Sequence, residues 1–392
     1  MFPIVRSLAW IAQLVEHFPE EEGVPGSSPG PSTAMQQKIS GWVQKYEKHL
    51  SAFAVVAGFI ADTVFFERID LWQTQIVFAA YTAICFITIP LHHWMESHEK
   101  ASSRWRSIVP LITQFTFGGF WSGFVVFYGR SADVSVSWPF LLILLLVFLG
   151  NEYFYRSHEQ IVFTSVLFFF ALYSYAIFAV PIYTKTLGTG TFLLSGLMAI
   201  GVFALFTALL RVLGRERFLA DVWRIRAGAL GVFIVFTASY FTNILPPLPL
   251  SSGPAGVYHS VSRVPGAYMA RSEPDPWRVR YLGFTPTRHV VPGGSLFAYS
   301  SVFAPTKLTT TIVHRWQWYD SVEKEWVTKS VIAYQIVGGR DGGYRGYSTV
   351  PIRQSGKWRV VVETVDGRRI ARLPFIVEIV AVEPPQKVIV LP

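Results

Sequence analysis

The chain has 392 residues, of which 51% are hydrophobic and only 15% charged, with a formal net charge of +9. A soluble globular protein carries about 25% charged residues. The deficit lies before residue 250, which excludes a single soluble domain and predicts a membrane part followed by a soluble one. The one cysteine, Cys85, excludes an intrachain disulfide framework and a cysteine metal site.

Residues 1–34 read differently from the rest. AQLVEH at 12–17 and GSSPG at 26–30 can be encoded by the D-arm and T-arm sequences common in transfer-RNA genes. The stretch therefore resembles a translated transfer-RNA gene, a non-native leader, and initiation at Met35 is expected. Glu20, Glu21 and Glu22 interrupt it, and it lacks the apolar core of a signal peptide. Residues 35–49, with Lys38, Lys45 and Lys48, read as an amphipathic segment on the cytoplasmic surface.

Seven apolar runs follow, at 50–66, 74–91, 108–128, 136–154, 161–182, 191–213 and 227–245. A helical span needs about 17–25 residues, so residues 50–246 predict a bundle of about seven transmembrane helices. With the N-terminus inside, the inner segments hold twelve Lys and Arg and the outer loops only Arg68, Arg130 and Lys185. That asymmetry predicts a cytoplasmic N-terminus. The stretch RVLGRERFLADVWRIR at 211–226, with five arginines, reads as the last cytoplasmic loop. The chain after about residue 250 is then exported.

Three sets of residues in this part are candidates for function. Asp62, in GFIADTVFFERID, lies at membrane depth with Arg68 and Asp70 beyond it. A carboxylate there is costly and marks either a site or an ordinary ion pair, for example with Arg68. His92 and Glu96 share a helix face and, with Glu152 from another loop on the same side, form a candidate metal set. No HExxH pattern supports it. Gly119 and Gly123 form a small-xxx-small pair for close helix packing within the chain or in a homo-oligomer. There is no inverted repeat and no dense row of intramembrane charge, which counts against a transporter or channel.

Residues 247–276, rich in Pro, Gly and Ser, read as a linker. Alternation then replaces helical runs. Strands are predicted at 296–303, 310–319, 327–336, 344–350, 357–364 and 370–379, with a hairpin turn at Asp366 and Gly367. Within 310–319, Ile312, His314, Trp316 and Trp318 face one way and Arg315 and Gln317 the other. The expected domain over 277–382 is an all-β immunoglobulin-like sandwich with Trp316, Trp318 and Trp358 in or at its core. Residues 383–392 read as a tail. From residue 251 onward 18 Lys and Arg stand against 10 Asp and Glu. An exported domain meets no nucleic acid, so anionic headgroups or envelope polymers are the expected partners, with Arg315, Arg345, Arg359 and Arg372 projecting from the strands.

HRWQWY at 314–319, RGYS at 345–348, GKWRVVV at 356–362 and DGRRIARLPFIV at 366–377 resemble the bacterial domain-of-unknown-function family 2914 over roughly the last 80 residues. FFERIDLW resembles membrane parts that accompany that domain. The resemblance implies a small β-domain next to a membrane, here the bacterial inner membrane, and brings no activity. His314, Arg315, Arg345 and Arg359 are the candidate ligand-binding residues. His314, Ser348 and Asp341 could be called a triad, but no nucleophile elbow supports one. No catalytic residue and no cofactor is assigned. The expected function is an envelope binding or scaffolding module for an anionic ligand or a protein partner. The rival is a membrane-embedded enzyme or transporter around Asp62 or His92.

Overall fold

A computed structural model describes residue 66 and residues 68–97, 103–153, 161–213, 215–340 and 342–391. The leader, the amphipathic segment and the first apolar run, with Asp62, lie outside the described residues, apart from Phe66. From Arg68 onward the chain is one compact unit. Its first part is helical: α1 Trp72–Ser97, α2 Ser103–Ser131, α3 Val134–Tyr153, α4 Ile161–Thr184, α5 Thr189–Leu213 and α6 Arg215–Phe241. Four of these, α1, α2, α4 and α5, are long and apolar enough to cross a membrane, and Val134–Phe148 is a shorter apolar helix.

The most apolar window of α4 is 78% buried against 33% for α5. A helix that is apolar all round belongs at the centre. Aromatic side chains make the joints. Phe78 of α1 packs on Phe124 of α2 at 5.4 Å and on Phe178 of α4 at 5.3 Å. Phe168 of α4 meets Phe206 of α5 at 4.7 Å, and Phe170 meets Phe236 of α6 at 5.0 Å. A Cβ added to Gly119 would lie 2.5 Å from the Tyr81 ring, so this glycine lets α1 and α2 approach within the chain, while Gly123 is buried. Asp133 caps α3, its Oδ1 accepting the Ser135 N–H at 3.0 Å and the Ser135 hydroxyl at 2.7 Å.

The basic stretch at 211–226 is helical at every described position rather than a loop. α5 runs to Leu213, α6 begins at Arg215, and Arg224 pairs with Asp221 one turn back at 3.0 Å. Arginine and leucine are good helix formers, so the charge continues α6 instead of breaking it.

The second part is β. The strands are β1 Ser251–Tyr258, β2 Ser260–Val264, β3 Ala267–Ser272, β4 Thr287–Val290, β5 Ser295–Phe303, β6 Thr309–Asp320, β7 Glu325–Val337, β8 Tyr344–Pro351, β9 Gly356–Thr364, β10 Arg369–Ile379 and β11 Lys387–Leu391, with a short helix α7 at Trp277–Leu282. They form a three-stranded sheet β1-β5-β8, a five-stranded sheet β4-β10-β9-β6-β7 and a small sheet β11-β3-β2. The first two pack face to face around Trp316, Trp358, Val360, Phe375, Leu296 and Ala298, continued by Val302, Ile312, Ile336 and Val362. β5 to β10 lie where alternation predicted them, and Gly367 makes its turn at φ 77°.

Two boundaries are corrected. Residues 247–276 are not a linker, since 251–272 hold β1, β2 and β3. Residues 383–392 are not a free tail, since β11 pairs with β3 from Lys387↔Ser272 to Leu391↔Tyr268. Composition misled at β1 because its Gly and Pro sit at an irregularity. The β1–β5 register shifts between Ser252 and Ala255, which brackets Gly253 and Pro254, and a bulge is where a strand tolerates proline. β4 was not predicted either. Its four residues run parallel to β10, from Ile376↔Thr287 to Ile379↔Val290, too short a run for periodicity to register.

Trp358 is 2% exposed and lies in the sandwich core. Trp358→Ala is expected to cost about 3–5 kcal/mol, from lost transfer energy plus the cavity left behind. Denaturant unfolding of the detergent-solubilised full chain, followed through the β-domain, checks it. A loss below about 1 kcal/mol would contradict its core placement.

Candidate functional site

Strand alternation sends His314 and Arg315 to opposite faces of β6. His314 faces the core and is 0% exposed. Its Nε2 lies 2.8 Å from Ser300 Oγ and 3.1 Å from the Tyr334 hydroxyl, and its Nδ1 lies 2.8 Å from Ser348 Oγ. Ser348 also accepts the Trp316 indole N–H at 3.0 Å, and Ser300 meets Tyr334 at 2.9 Å. A neutral imidazole protonated at Nε2, with Ser348 donating to Nδ1, uses every group in this set. Burial holds the His314 pKa down to about 4 and pushes the Tyr334 phenol up. Ser348 and His314 are therefore adjacent but sealed from solvent, and Asp341 lies outside the described residues. The cluster ties β5, β6, β7 and β8 together and has no access for a substrate.

Arg315 and Arg359 share the opposite face of the five-stranded sheet, because Arg315 pairs in register with Val361 and Gln317 with Arg359. Arg315 Nη2 lies 2.6 Å from Glu363. Arg359 donates to Gln317 Oε1 at 2.8 Å, and its guanidinium lies 4.1 Å from the centre of the Trp326 ring. Burial and repulsion from Arg369 and Arg372 lower its pKa, while the Asp133 carboxylate at the start of α3 opposes them. Lys357 adds a cation 5.8 Å from the Tyr319 ring. Arg345 belongs elsewhere. It lies on β8 opposite Ser301, in the other sheet. The predicted quartet is thus split into one core residue, two residues of one cationic face and one residue of the other sheet.

Among the membrane-part candidates, Arg68 and Asp70 are joined by two hydrogen bonds of 3.1 and 3.0 Å. Asp70 Oδ2 also accepts the Thr306 N–H at 3.1 Å and its hydroxyl at 3.2 Å, from the loop between β5 and β6. Burial would raise the Asp70 pKa, but the donors from Arg68 and Thr306 outweigh it and the carboxyl stays below its ordinary range. This is a joint between the two parts of the chain. His92 and Glu96 approach to 3.5 Å on α1, and His93 to 3.5 Å from the same carboxylate. No three or more His, Cys, Asp or Glu side chains are placed to hold a metal ion together among the described residues, and the Glu152 side chain lies outside them.

A second polar cluster was not anticipated. Glu273, buried just after β3, is held between two histidines. His259 Nε2 lies 2.7 Å from its Oε1, and His289 Nδ1 lies 2.7 Å from its Oε2. The His289 N–H also donates to Oε1 at 2.8 Å. Glu383 lies 3.7 Å beyond His259 and Glu378 lies 3.4 Å beyond His289. Burial would raise the Glu273 pKa, but these donors keep it below its usual value. The row stitches the small sheet to β4 and β10. Its members lie up to 124 positions apart, from His259 to Glu383, so no local spacing announces it. The one available signal was the strand-like VYHSVSRV at 257–264 inside the stretch taken as a linker.

Residues 309–377 match the family described as a protein of unknown function (DUF2914). The resemblance read from HRWQWY and GKWRVVV is thereby shown for the C-terminal region. No curated protein matches the chain. Among solved structures, an immunoglobulin-like protein from Pseudomonas aeruginosa is 13% identical over 32% of this chain and 93% of that one, with a TM-score of 0.19. A beta-glucosidase from Listeria innocua in complex with gluconolactone is 12% identical over 32% of this chain and 16% of its own, with a TM-score of 0.18. The alkylpurine DNA glycosylase AlkC of Pseudomonas fluorescens, bound to DNA with an abasic site analog, is 10% identical over 78% of this chain and 96% of that one, with a TM-score of 0.22. TM-scores this low carry no argument about fold or function.

The two buried clusters predict a stepwise loss of stability in acid. His314 has a folded pKa of about 4 against 6.5 for the free side chain, so the unfolded chain takes up the proton first. The stability it contributes is complete above pH 6.5 and falls by about 3 kcal/mol between there and pH 4. Glu273 is depressed from 4.5, so its contribution is present above that value and is lost only at lower pH. Denaturant unfolding at pH 7, 5 and 3.5 reads both steps. His314→Gln should remove the upper step and leave the lower one.

Proposed function

We propose that the chain is a membrane-anchored binding module of the cell envelope, whose exported β-domain holds an anionic envelope polymer on the outer face of its five-stranded sheet. The observation that carries this is the grouping of Arg359, half-buried and within repulsive range of Arg369 and Arg372, beside Trp326, Tyr319 and Lys357. Arginine forks and aromatic faces together suit a polymer bearing carboxylate or phosphate groups. An anionic ligand would offset the repulsion that Arg359 meets from its neighbours.

The accompanying topology is seven spans with the N-terminus in the cytoplasm and the β-domain beyond the inner membrane. Two features support it. Successive ends of the bundle are turned to the β-domain. Asp70 before α1 meets Thr306, Ser131 at the end of α2 donates to the Leu250 carbonyl at 2.5 Å, and Leu187 between α4 and α5 packs on the β core. The arginines of 211–226 lie at the other end of α5 and α6, in keeping with positive charge inside. A phosphatase fused after Pro392 should be active, and one inserted near Gly214 should not. The reverse result would discard the topology.

Binding is expected to be electrostatic. The full-length protein in detergent should bind dextran sulfate at 0.1 M salt and release it by 1 M, where the screening length falls from about 10 to about 3 Å. The double variant R359E/R372E should weaken binding at least about tenfold, since removing one hydrogen bond to a charged group is worth about that factor. R372E alone, at an exposed position, guards against a folding defect. Binding indifferent to both salt and charge reversal would refute the cationic face.

A further inference from the structure

A cavity of about 220 Å³ lies where the helices meet the β-domain. Its walls come from the end of α4 (Ile177, Pro181), the start of α5 (Gly188, Phe192), Tyr240 near the end of α6, and the turn between β9 and β10. Among its lining residues Arg368 is the one basic side chain and Asp366 the one acidic. Both stand on the same hairpin turn, yet no ion pair joins them among the described residues.

Arg368 is held in place with hydrogen-bonding capacity to spare. Its guanidinium lies 3.5 Å from the centre of the Tyr240 ring, and Tyr240 stacks on Phe192 at 3.8 Å. The Arg368 Nε is buried without a hydrogen-bond partner. That nitrogen is closed off from the cavity, so an anion there would be held by the terminal guanidinium nitrogens of Arg368, which lines the cavity and forms no ion pair among the described residues. Asp366 supplies the opposite pole. Its Oδ2 lies 3.7 Å from where a Cβ at Gly188, just before α5, would be.

We propose that this cavity binds a phosphoethanolamine group, with the phosphate on Arg368 and the ammonium on Asp366. One cation and one anion on the same turn, not joined in an ion pair among the described residues, match a zwitterion better than an anion alone. At about 220 Å³ the cavity is smaller than the roughly 300–1,000 Å³ that takes a drug-sized molecule. It has room for a headgroup and leaves acyl chains outside, along the apolar helices that form its walls. A membrane phospholipid with an amine headgroup is therefore the source, a choice that rests on the membrane-spanning character of those helices.

The full-length protein, recovered from the membrane fraction, tests this. That recovery is read first and bears on the membrane reading alone. The delipidated protein is then placed in nanodiscs of equal phosphatidylethanolamine and phosphatidylglycerol, and the lipid it retains is measured by native mass spectrometry. The wild type should retain phosphatidylethanolamine in preference. R368Q should lower that retention about tenfold, and R368K, which keeps the charge, should restore part of it. D366N should abolish the preference between the two lipids while still retaining phospholipid. Displacement of the lipid by free phosphoethanolamine at equal concentration would keep the site and assign it a soluble source. Equal retention of both lipids by the wild type, or R368Q and D366N both indistinguishable from it, would overturn the proposal.

Discussion

A carboxylate at the head of α1 holds the helical part and the β-domain in one body. Asp70 receives the fork of Arg68 and both donors of Thr306. Hydrogen bonds to a charged group are worth about 1.5–3 kcal/mol each, and a carboxylate this buried has to be fully satisfied to be tolerated. Arg68 also lies 5.1 Å from the centre of the Phe303 ring at the end of β5. With the loop between β5 and β6 seated there, the turn between β9 and β10 reaches Tyr240 and Gly188. The cationic face is likewise brought within electrostatic range of Asp133.

The β-domain separates its polar groups by the pleat. Residues of β6 and β9 that face inward build a core in which His314 stays neutral among hydroxyls, and the next residue along each strand faces outward with its charge. The buried cluster and the arginine face are thus two sides of the same two strands. A hydrogen-bonded histidine in the core costs little while neutral and much when protonated, because burial penalises the charge. The outer face has the opposite character. There Arg359 is repelled by Arg369 and Arg372, and Arg315 is matched to the Glu363 carboxylate.

Local pattern alone determined a good deal about this protein: apolar helical runs before residue 250, six of the eleven strands, the turn at Asp366 and Gly367, the inward tryptophans, and the family of the C-terminal region. These are properties of a few consecutive residues, since a strand's alternation or a helix's apolar length is written within one element. Tertiary structure decided the rest. It drew Gly- and Pro-rich residues into β1, paired β11 with β3, and made a helix of the basic stretch at 211–226. It also divided His314, Arg315, Arg345 and Arg359 among three places, and it gathered His259, Glu273, His289, Glu378 and Glu383 into one row. Short edge strands are stabilised by a partner's backbone rather than by their own side chains. A polar cluster exists only when distant segments meet. Neither leaves a periodic trace in the sequence, because the energy that forms it comes from residues elsewhere in the chain.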